Sequence, residues 1–301
     1  MANDSSPWPA LPWQEWEDTA TTLHMWTQIV GKTRLALTPL QAHWWNVPLY
    51  VTARGLSTAA MPIPEGVLEI EFDFSEHELS FRLSSGVRFA MPLRARSVAD
   101  FYHEYLDRLS QLGVSVHINP VPAEVRNPIP FPEDTVHTSY DREYVQRFWR
   151  ILMHATVLFQ RFSSNFIGKI SPVHFFWGSF DLAVTRFSGR RAPERPGVDR
   201  VTREAYSHEV ISAGFWPGNG GFGEAAFYCY AVPVPDGLAA KKAKPDAAYW
   251  DLALGEFILK YDDLRRESPP DDALLDYLSS TYELAAEAAS WDRAALERSE
   301  I

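Results

Sequence analysis

Three histidines lie beside strongly apolar sequence: His43, His174 and His208. A neutral imidazole can ligate a metal ion or take up a proton as a general base. Glu209 follows His208 directly, and successive residues of an extended strand point to opposite faces of a sheet. His174, His208 and Glu209 are therefore candidate catalytic residues. A hydrogen-bonded core histidine is the alternative for each imidazole.

A carboxylate inside an apolar strand is a further candidate catalytic group. Asp181 occurs in the run Phe-Asp-Leu-Ala-Val at 180–184, and a buried carboxylate needs a partner. Arg186 is five residues further along, so the period of two places the two side chains on opposite faces. We expect Asp181 to contact another segment, preferably through a histidine, and Arg186 to lie near the end of its strand.

An arginine-rich segment occurs in this otherwise acidic chain. Four arginines fall within residues 185–195, and guanidinium groups bind carboxylate or phosphate through two parallel hydrogen bonds. The segment predicts a small anionic ligand, held by Arg186, Arg190 and Arg191. A solvated loop that pairs with nearby acidic residues is the alternative.

Tryptophans and a histidine could form the wall of the same pocket. Trp177, Trp216 and His43 are candidate binding residues for an anionic or aromatic substrate, because ligand pockets are commonly lined by aromatic side chains. Core packing is the alternative for each tryptophan. A metal-assisted reaction would require two of the three histidines to converge with Asp181 or Glu209, and the sequence leaves both metal and cofactor unknown.

Several familiar catalytic motifs do not occur in the chain. It has no Gly-x-Ser-x-Gly, no His-Glu-x-x-His and no Walker A loop. The text Gly-x-Gly-x-x-Gly at 218–223 precedes a predicted strand instead of a helix, so it indicates a loop and not a dinucleotide site. Cys229 is the one cysteine, which excludes an intrachain disulfide.

Composition limits the classes of partner. The 301 residues are 46% hydrophobic and 14% aromatic, and the net charge is −11. This is a globular composition, and its acidic balance argues against nucleic acid or an anionic membrane as a partner. The sequence shows no secretory signal and no run of 18 apolar residues. We therefore expect a cytoplasmic protein; its oligomeric state does not follow from these data.

The periodicity of apolar residues predicts the elements that must position these groups. Gly31 is the expected end of the first helix, and Ser97 the expected N-cap of the second. Helices are predicted over 14–30, 98–112, 141–162, 247–254 and 271–289. Strands are predicted over 33–37, 44–52, 67–74, 78–83, 114–118, 173–187, 209–215, 226–232 and 256–261. The fold class is α+β, with mostly antiparallel sheets and packed helices.

Two halves of the chain resemble each other. Ile-Val-Gly-Lys at 29–32 matches Phe-Ile-Gly-Lys at 166–169, and His-Trp-Trp at 43–45 matches His-Phe-Phe at 174–176. We expect an internal pseudo-repeat of two α+β halves, 1–132 and 133–301, packed as one compact unit. Two unrelated halves are the alternative. The boundary is the proline-rich segment that ends at residue 132, and a pocket between the halves would be the natural site.

Longer runs resemble an uncharacterised bacterial family, the domain of unknown function numbered 5996. The runs are 22–32, 43–50, 171–191 and 204–218. The resemblance covers nearly the whole chain and implies a bacterial cytoplasmic protein. It implies no activity, cofactor or catalytic residue.

These residues together favour a small-molecule enzyme whose pocket lies between the halves. The arginines would hold an anionic substrate, and a histidine or Glu209 would move a proton. One alternative is a non-catalytic protein that binds a small molecule in the same pocket. Another is a structural or partner-binding protein in which these groups form a buried polar network.

Overall fold

The protein has an α+β fold, as predicted, in a computed structural model that describes residues 6–298. Within those residues there are seven α-helices and two antiparallel sheets of six strands each. The helices are α1 (Trp13–Leu37), α2 (Val98–Gln111), α3 (Arg142–Ser164), α4 (Arg200–Ala205), α5 (Tyr261–Leu264), α6 (Pro270–Ala288) and α7 (Arg293–Leu296). None of the helices in this range is both long and apolar enough to cross a membrane.

The first sheet has the order β1-β2-β4-β5-β6, and β3 pairs with β4 beside β2. Its strands are β1 (Tyr50–Val51), β2 (Gly55–Ser57), β3 (Met61–Ile63), β4 (Gly66–Asp73), β5 (Glu78–Leu83) and β6 (Arg88–Pro92). The second sheet has the order β11-β12-β10-β9-β8-β7. Its strands are β7 (His174–Phe176), β8 (Asp181–Arg191), β9 (His208–Trp216), β10 (Ala226–Val232), β11 (Tyr249–Asp251) and β12 (Glu256–Lys260).

The two sheets meet where the residue before β1 pairs with β7. Leu49 and Phe175 form an antiparallel bridge, in which each backbone N–H donates to the other residue's carbonyl at 2.9 Å. A single apolar core runs from Trp8 to Trp291 and includes residues of both sheets and of α1, α2, α3 and α6. The halves therefore share their core.

The second sheet has two distinct faces. Its inner face, which includes Leu182 and Val184, belongs to the main core beside α3 and α6. Its outer face carries the alternate residues and has a small apolar cluster of its own around Tyr228. Ala183 of β8 stands opposite Gly214 of β9 in the middle of this outer face. The period of two thus separates a core side from a side that is rich in polar groups.

Local sequence signals predicted several elements correctly. The alternating runs form the hairpin of β4 and β5, within one residue of the expected bounds. The side chain of Ser97 caps α2 by accepting the N–H of Asp100 at 3.0 Å. Asp141 caps α3 in the same way. Such caps satisfy backbone donors that the first helical turn leaves unpaired.

The predicted end of the first helix at Gly31 is wrong. Helix α1 continues to Leu37, so the strand predicted over 33–37 is helical. The indole of Trp177 occupies the space beside Gly31, where an added Cβ would lie 2.2 Å from the ring. This glycine therefore allows a close approach and is not a helix stop.

Three other predicted elements differ from the structure. Residues 44–52 contain one strand, the two-residue β1, because the chain up to Val47 forms a 3₁₀ helix and a turn. Residues 114–118 form no strand and pair with neither sheet. The helix predicted over 247–254 is instead β11 and a turn. Gly255 at φ 72° closes a hairpin onto β12, and this turn outweighs the weak helical pattern.

The internal duplication stays a prediction. Each half runs from a long helix through six strands to a helix. The matched segments nevertheless differ in structure. Residues 29–32 lie inside α1 whereas 166–169 follow α3, and 43–45 form a 3₁₀ turn whereas 174–176 form β7.

Candidate functional site

Four basic side chains converge at one end of the outer face: His43, Lys169, Arg191 and His208. We call them the basic cluster. The rings of His43 and His208 lie 5.5 Å apart between centroids. The ammonium of Lys169 lies 2.6 Å from Nε2 of His43. Arg191 is the direct cross-strand partner of His208, so both side chains are on the same face.

Hydrogen bonds fix the tautomer of His43. Its Nδ1 lies 3.1 Å from the carbonyl oxygen of Ala205, which can only accept, so Nδ1 carries the proton. In the neutral ring Nε2 then accepts a hydrogen bond from Lys169. Burial holds the pKa of His43 below its usual value, and the charges of Lys169 and His208 lower it further. His43 is therefore neutral near pH 7 and orients the lysine.

His208 presents a free nitrogen to the cluster. The hydroxyl of Ser207 donates its proton to the carbonyl of Glu204 at 2.8 Å, so it accepts from Nδ1 of His208 at 3.1 Å. This leaves Nε2 with a lone pair and with no partner among residues 6–298. Burial lowers the pKa of His208, followed by the charges of Lys169 and Arg191. The ring can accept a proton at Nε2.

No carboxylate balances the basic cluster within the described residues. Neither Lys169 nor Arg191 forms an ion pair there, and the nearest strand neighbour, Glu209, is bonded to Arg190. The charges acting on His43 and His208 all lower their pKa values. Two permanent cations and two imidazoles thus face one another beside the rings of Trp45 and Phe187. An anion would relieve this repulsion.

Asp181 lies at the other end of the outer face. It accepts hydrogen bonds from the hydroxyls of Tyr228 and Ser179. Tyr228 belongs to another segment, as predicted, but the expected histidine partner is wrong. Burial raises the pKa of Asp181 above its usual range, and these two hydrogen bonds oppose the shift. Neutral donors, and not a cation, satisfy this carboxylate.

Two of the arginines predicted to bind a ligand have structural partners. Arg186 points to the inner face, opposite to Asp181 as predicted, but it lies in the middle of β8 and not at its end. Its guanidinium carbon is 3.5 Å from the ring centroid of Phe162 and 4.2 Å from that of Tyr282. Arg190 donates to the carbonyls of Ala289 and Ser290 after α6.

Glu209 and the two tryptophans also lie apart from the basic cluster. Glu209 accepts from Arg190 and Ser188 on the face opposite to His208. Trp177 donates to the carbonyl of Val47 at 2.9 Å and packs against α1. Trp216 is half-buried at the Asp181 end of the outer face, where it donates to Asn219. The structure therefore brings together only His43, Arg191 and His208 of the predicted set.

His174 lies next to the basic cluster but deeper. It is 1% exposed, and its ring is 6.0 Å from that of Trp45 and 5.6 Å from that of Tyr50. Burial lowers its pKa to about 4, with a further contribution from the charge of Arg34. The sequence signals missed Lys169 and Arg34 as members of this region. Lys169 is the last residue of the repeat motif Phe-Ile-Gly-Lys at 166–169, and this motif was the available sequence signal for it.

A groove of about 390 Å³ lies where the halves meet. Tyr50 and Val51 form one side, and residues of α3 and 171–173 form the other. The hydroxyls of Thr156 and Ser163 in this groove donate to backbone carbonyls of their own helix. None of the predicted site residues lines it.

The geometry that a metal-assisted reaction would need does not occur within residues 6–298. No group of three histidine, cysteine, aspartate or glutamate side chains in this range is arranged so that it could hold a metal ion. Asp181 and Glu209 are both bonded elsewhere, and neither reaches the histidines. Burial raises the pKa of the Cys229 thiol to about 12, so this group is protonated near pH 7.

Replacing His174 by leucine should reduce the loss of unfolding free energy that the wild-type chain shows as the pH falls below about 6.5. The unfolded ring gains a proton near pH 6.5, whereas the folded ring gains one only near pH 4. Stability is therefore complete above the unfolded pKa and falls as the pH drops, by about 2 kcal/mol at about pH 5. Urea unfolding at about pH 7.5 and about pH 5 should show this loss in the wild-type chain and not in His174→Leu.

The control for this experiment is His117→Leu, which removes an exposed histidine. Other titrating groups change the absolute profile but are common to all three proteins. Parallel profiles for the wild-type chain and His174→Leu would contradict the assignment of a neutral, buried His174.

A family model described as a family of unknown function, DUF5996, matches residues 8–298. No curated protein matches the chain. No solved structure matches it either.

Proposed function

The chain belongs to DUF5996, a family of unknown function, and we propose that it binds a small anionic molecule at the basic cluster. The observation that supports this proposal is the convergence of Lys169, Arg191 and two imidazoles without a carboxylate. A group of like charges destabilises a fold unless something offsets it. The bound anion would do so.

The size of the cluster favours a small ligand. Only two of its groups are permanent cations, and the net charge of the chain is −11. A polyanion such as nucleic acid would meet strong repulsion outside the cluster. Trp45 and Phe187 add apolar contact area beside the charges.

Removing either cation should weaken anion binding about tenfold, because a charged hydrogen bond contributes on the order of 1.5–3 kcal/mol. Lys169→Gln and Arg191→Gln are the test variants, and inorganic phosphate is the probe. Isothermal titration calorimetry at low ionic strength measures the affinity, since salt screens exposed charges.

The matched control is Lys242→Gln, an exposed lysine paired with Asp246 in a loop outside the cluster. Its phosphate affinity should equal that of the wild-type chain. Equal affinities in all four proteins, or no phosphate binding at all, would remove the proposal.

A catalytic role is the second candidate, favoured by the free Nε2 of His208. A neutral imidazole beside two cations can take a proton from carbon next to a carbonyl, while the cations stabilise the resulting anion. NMR of 2-oxoglutarate in D₂O should then show faster exchange of its C–H protons with the protein than without it. His208→Gln should abolish this acceleration, and its absence in the wild-type chain would leave binding alone.

We also propose a bacterial, cytoplasmic setting for this activity. The support is the sequence resemblance together with the one cysteine, Cys229, which is a buried thiol.

A further inference from the structure

Arg34 and His174, which we call the deep pair, are buried polar side chains with unpartnered nitrogens. Their exposed fractions are 5% and 1%. Within residues 6–298, neither ring nitrogen of His174 forms a hydrogen bond, and nor does Nε of Arg34. Buried donors are normally paired, because an unpaired donor loses its hydration without compensation. Both groups lie against the ring of Tyr50, and the charge of Arg34 acts on His174, so together they indicate a place for a bound acceptor.

Arg34 also has no counter-ion among the described residues. Its Nη1 donates to the carbonyl of Thr58, and its guanidinium carbon lies 5.3 Å from the ring centroid of Tyr50. Burial lowers its pKa, and only Tyr50 opposes that shift. The other deeply buried arginine, Arg186, differs because the charge of Glu297 acts on it. A buried cation without a carboxylate is the group that a ligand anion would complete.

The deep pair adjoins the basic cluster through one aromatic ring. The ring centroid of Trp45 lies 5.6 Å from that of His43 and 6.0 Å from that of His174. The ammonium of Lys169 is 5.3 Å from the same ring. The basic cluster and the deep pair therefore both border Trp45.

We propose that the ligand of the basic cluster is a dicarboxylate of medium chain length that also occupies the deep pair. This inference rests on the proposed function. One carboxylate meets the cluster, the apolar chain passes along Trp45, and the second carboxylate accepts hydrogen bonds from Arg34 Nε and a ring N–H of His174. The second carboxylate then pairs the unpartnered donors of Arg34 and His174 and also supplies the negative charge that Arg34 lacks.

The backbone beside Trp45 supports a clamp at this position. His43 and Trp44 have φ values of 57° and 61°, a region that side-chain-bearing residues rarely adopt. Such conformations persist where the surrounding structure holds them, and they concentrate at ligand clamps. Trp45 and Tyr50 are both half-buried, so a ligand reaches the deep pair past these rings by rotamer changes that are common on binding.

The experiment compares dicarboxylates with monocarboxylates of equal length by calorimetry. The probes are succinate, adipate and suberate, each against butyrate, hexanoate or octanoate. The wild-type chain should bind its best dicarboxylate at least about tenfold more tightly than the matched monocarboxylate. Arg34→Met should remove this preference while the affinities for the monocarboxylate and for phosphate stay unchanged.

Two further variants keep the inference testable if Arg34→Met does not fold. His174→Leu removes the second deep donor and should also abolish the preference for dicarboxylates. His24→Gln is the matched control: His24 is another buried histidine, but its Nε2 is bonded to the carbonyl of Gly178 at 2.9 Å. It should keep the preference. His174→Leu should melt at or above the wild-type temperature, because it removes an unsatisfied buried group.

The outcomes separate this inference from the proposed function. If phosphate binds at the basic cluster and dicarboxylates bind no more tightly than monocarboxylates, the inference is overturned and the proposed function stands. If no anion binds, both fail. A loss of thermal stability in Arg34→Met and His174→Leu, with the dicarboxylate preference retained, would mark the pair as structural and would overturn the inference.

Discussion

Gly214→Ala should lower the free energy of unfolding by roughly 3 kcal/mol, the upper range for overpacking a tightly packed position. A Cβ at this position would lie 2.3 Å from the ring and hydroxyl of Tyr228 and 2.4 Å from the carbonyl oxygen of Leu182. The carbonyl belongs to the neighbouring strand and cannot move away alone. Tyr228 is held by its hydrogen bond to Asp181, so relief of the clash would also break that contact.

Urea unfolding of Gly214→Ala measures this effect, and Gly86→Ala is the control. Gly86 has a φ of 92° but no atom within 4 Å of an added Cβ, so its replacement should lose only about 1 kcal/mol of backbone strain. Similar losses for the two variants would show that Tyr228 does not lie over β9 as described.

Arg186→Ala should cost roughly 4 kcal/mol of stability and leave the phosphate affinity of the folded protein unchanged. The guanidinium packs against the rings of Phe162, Phe166 and Tyr282, which connect β8 to α3 and α6. Truncation removes these desolvated cation–π contacts and leaves a cavity between the helices and the sheet. The side chain lies on the face opposite to the basic cluster, so ligand binding should not change.

Arg191→Ala makes the matched comparison, because Arg191 is an exposed arginine on the same strand. It should change stability little and weaken phosphate binding. Chemical unfolding measures the stability of both variants, and calorimetry measures their phosphate affinity. Arg186→Ala should lose stability alone, and Arg191→Ala should lose affinity alone. A weakened phosphate affinity in Arg186→Ala at unchanged stability would restore the original prediction that Arg186 binds the ligand.

Elements with a regular apolar period were predictable from the sequence. The alternation at β4 and β5, the apolar run of β10 and the stripes of α2 and α3 each bury one definite face. The caps at Ser97 and Asp141 added the boundaries, because their side chains satisfy donors within the same turn. In each case the determining contacts are local.

The candidate site could be predicted only in part. Strand period correctly placed Asp181 and Arg186 on opposite faces of β8, as it did His208 and Glu209 on β9. It could not distinguish the arginine that faces solvent from the one enclosed by three rings. Lys169 and Arg34 were missed because each meets a histidine that is distant in sequence: Lys169 lies 126 residues from His43, and Arg34 acts on His174 of the other half.

The sequence by itself thus determined the fold class, the two-faced strands and the supply of histidines and arginines beside them. The tertiary structure alone decided that Gly31 is a packing position for Trp177, that Tyr228 and not a histidine meets Asp181, and that Lys169 approaches His43. The physical reason is the range of the interactions. Backbone period and caps act over a few residues, whereas burial, orphaned donors and uncompensated charge arise when segments more than 100 residues apart close on the same space.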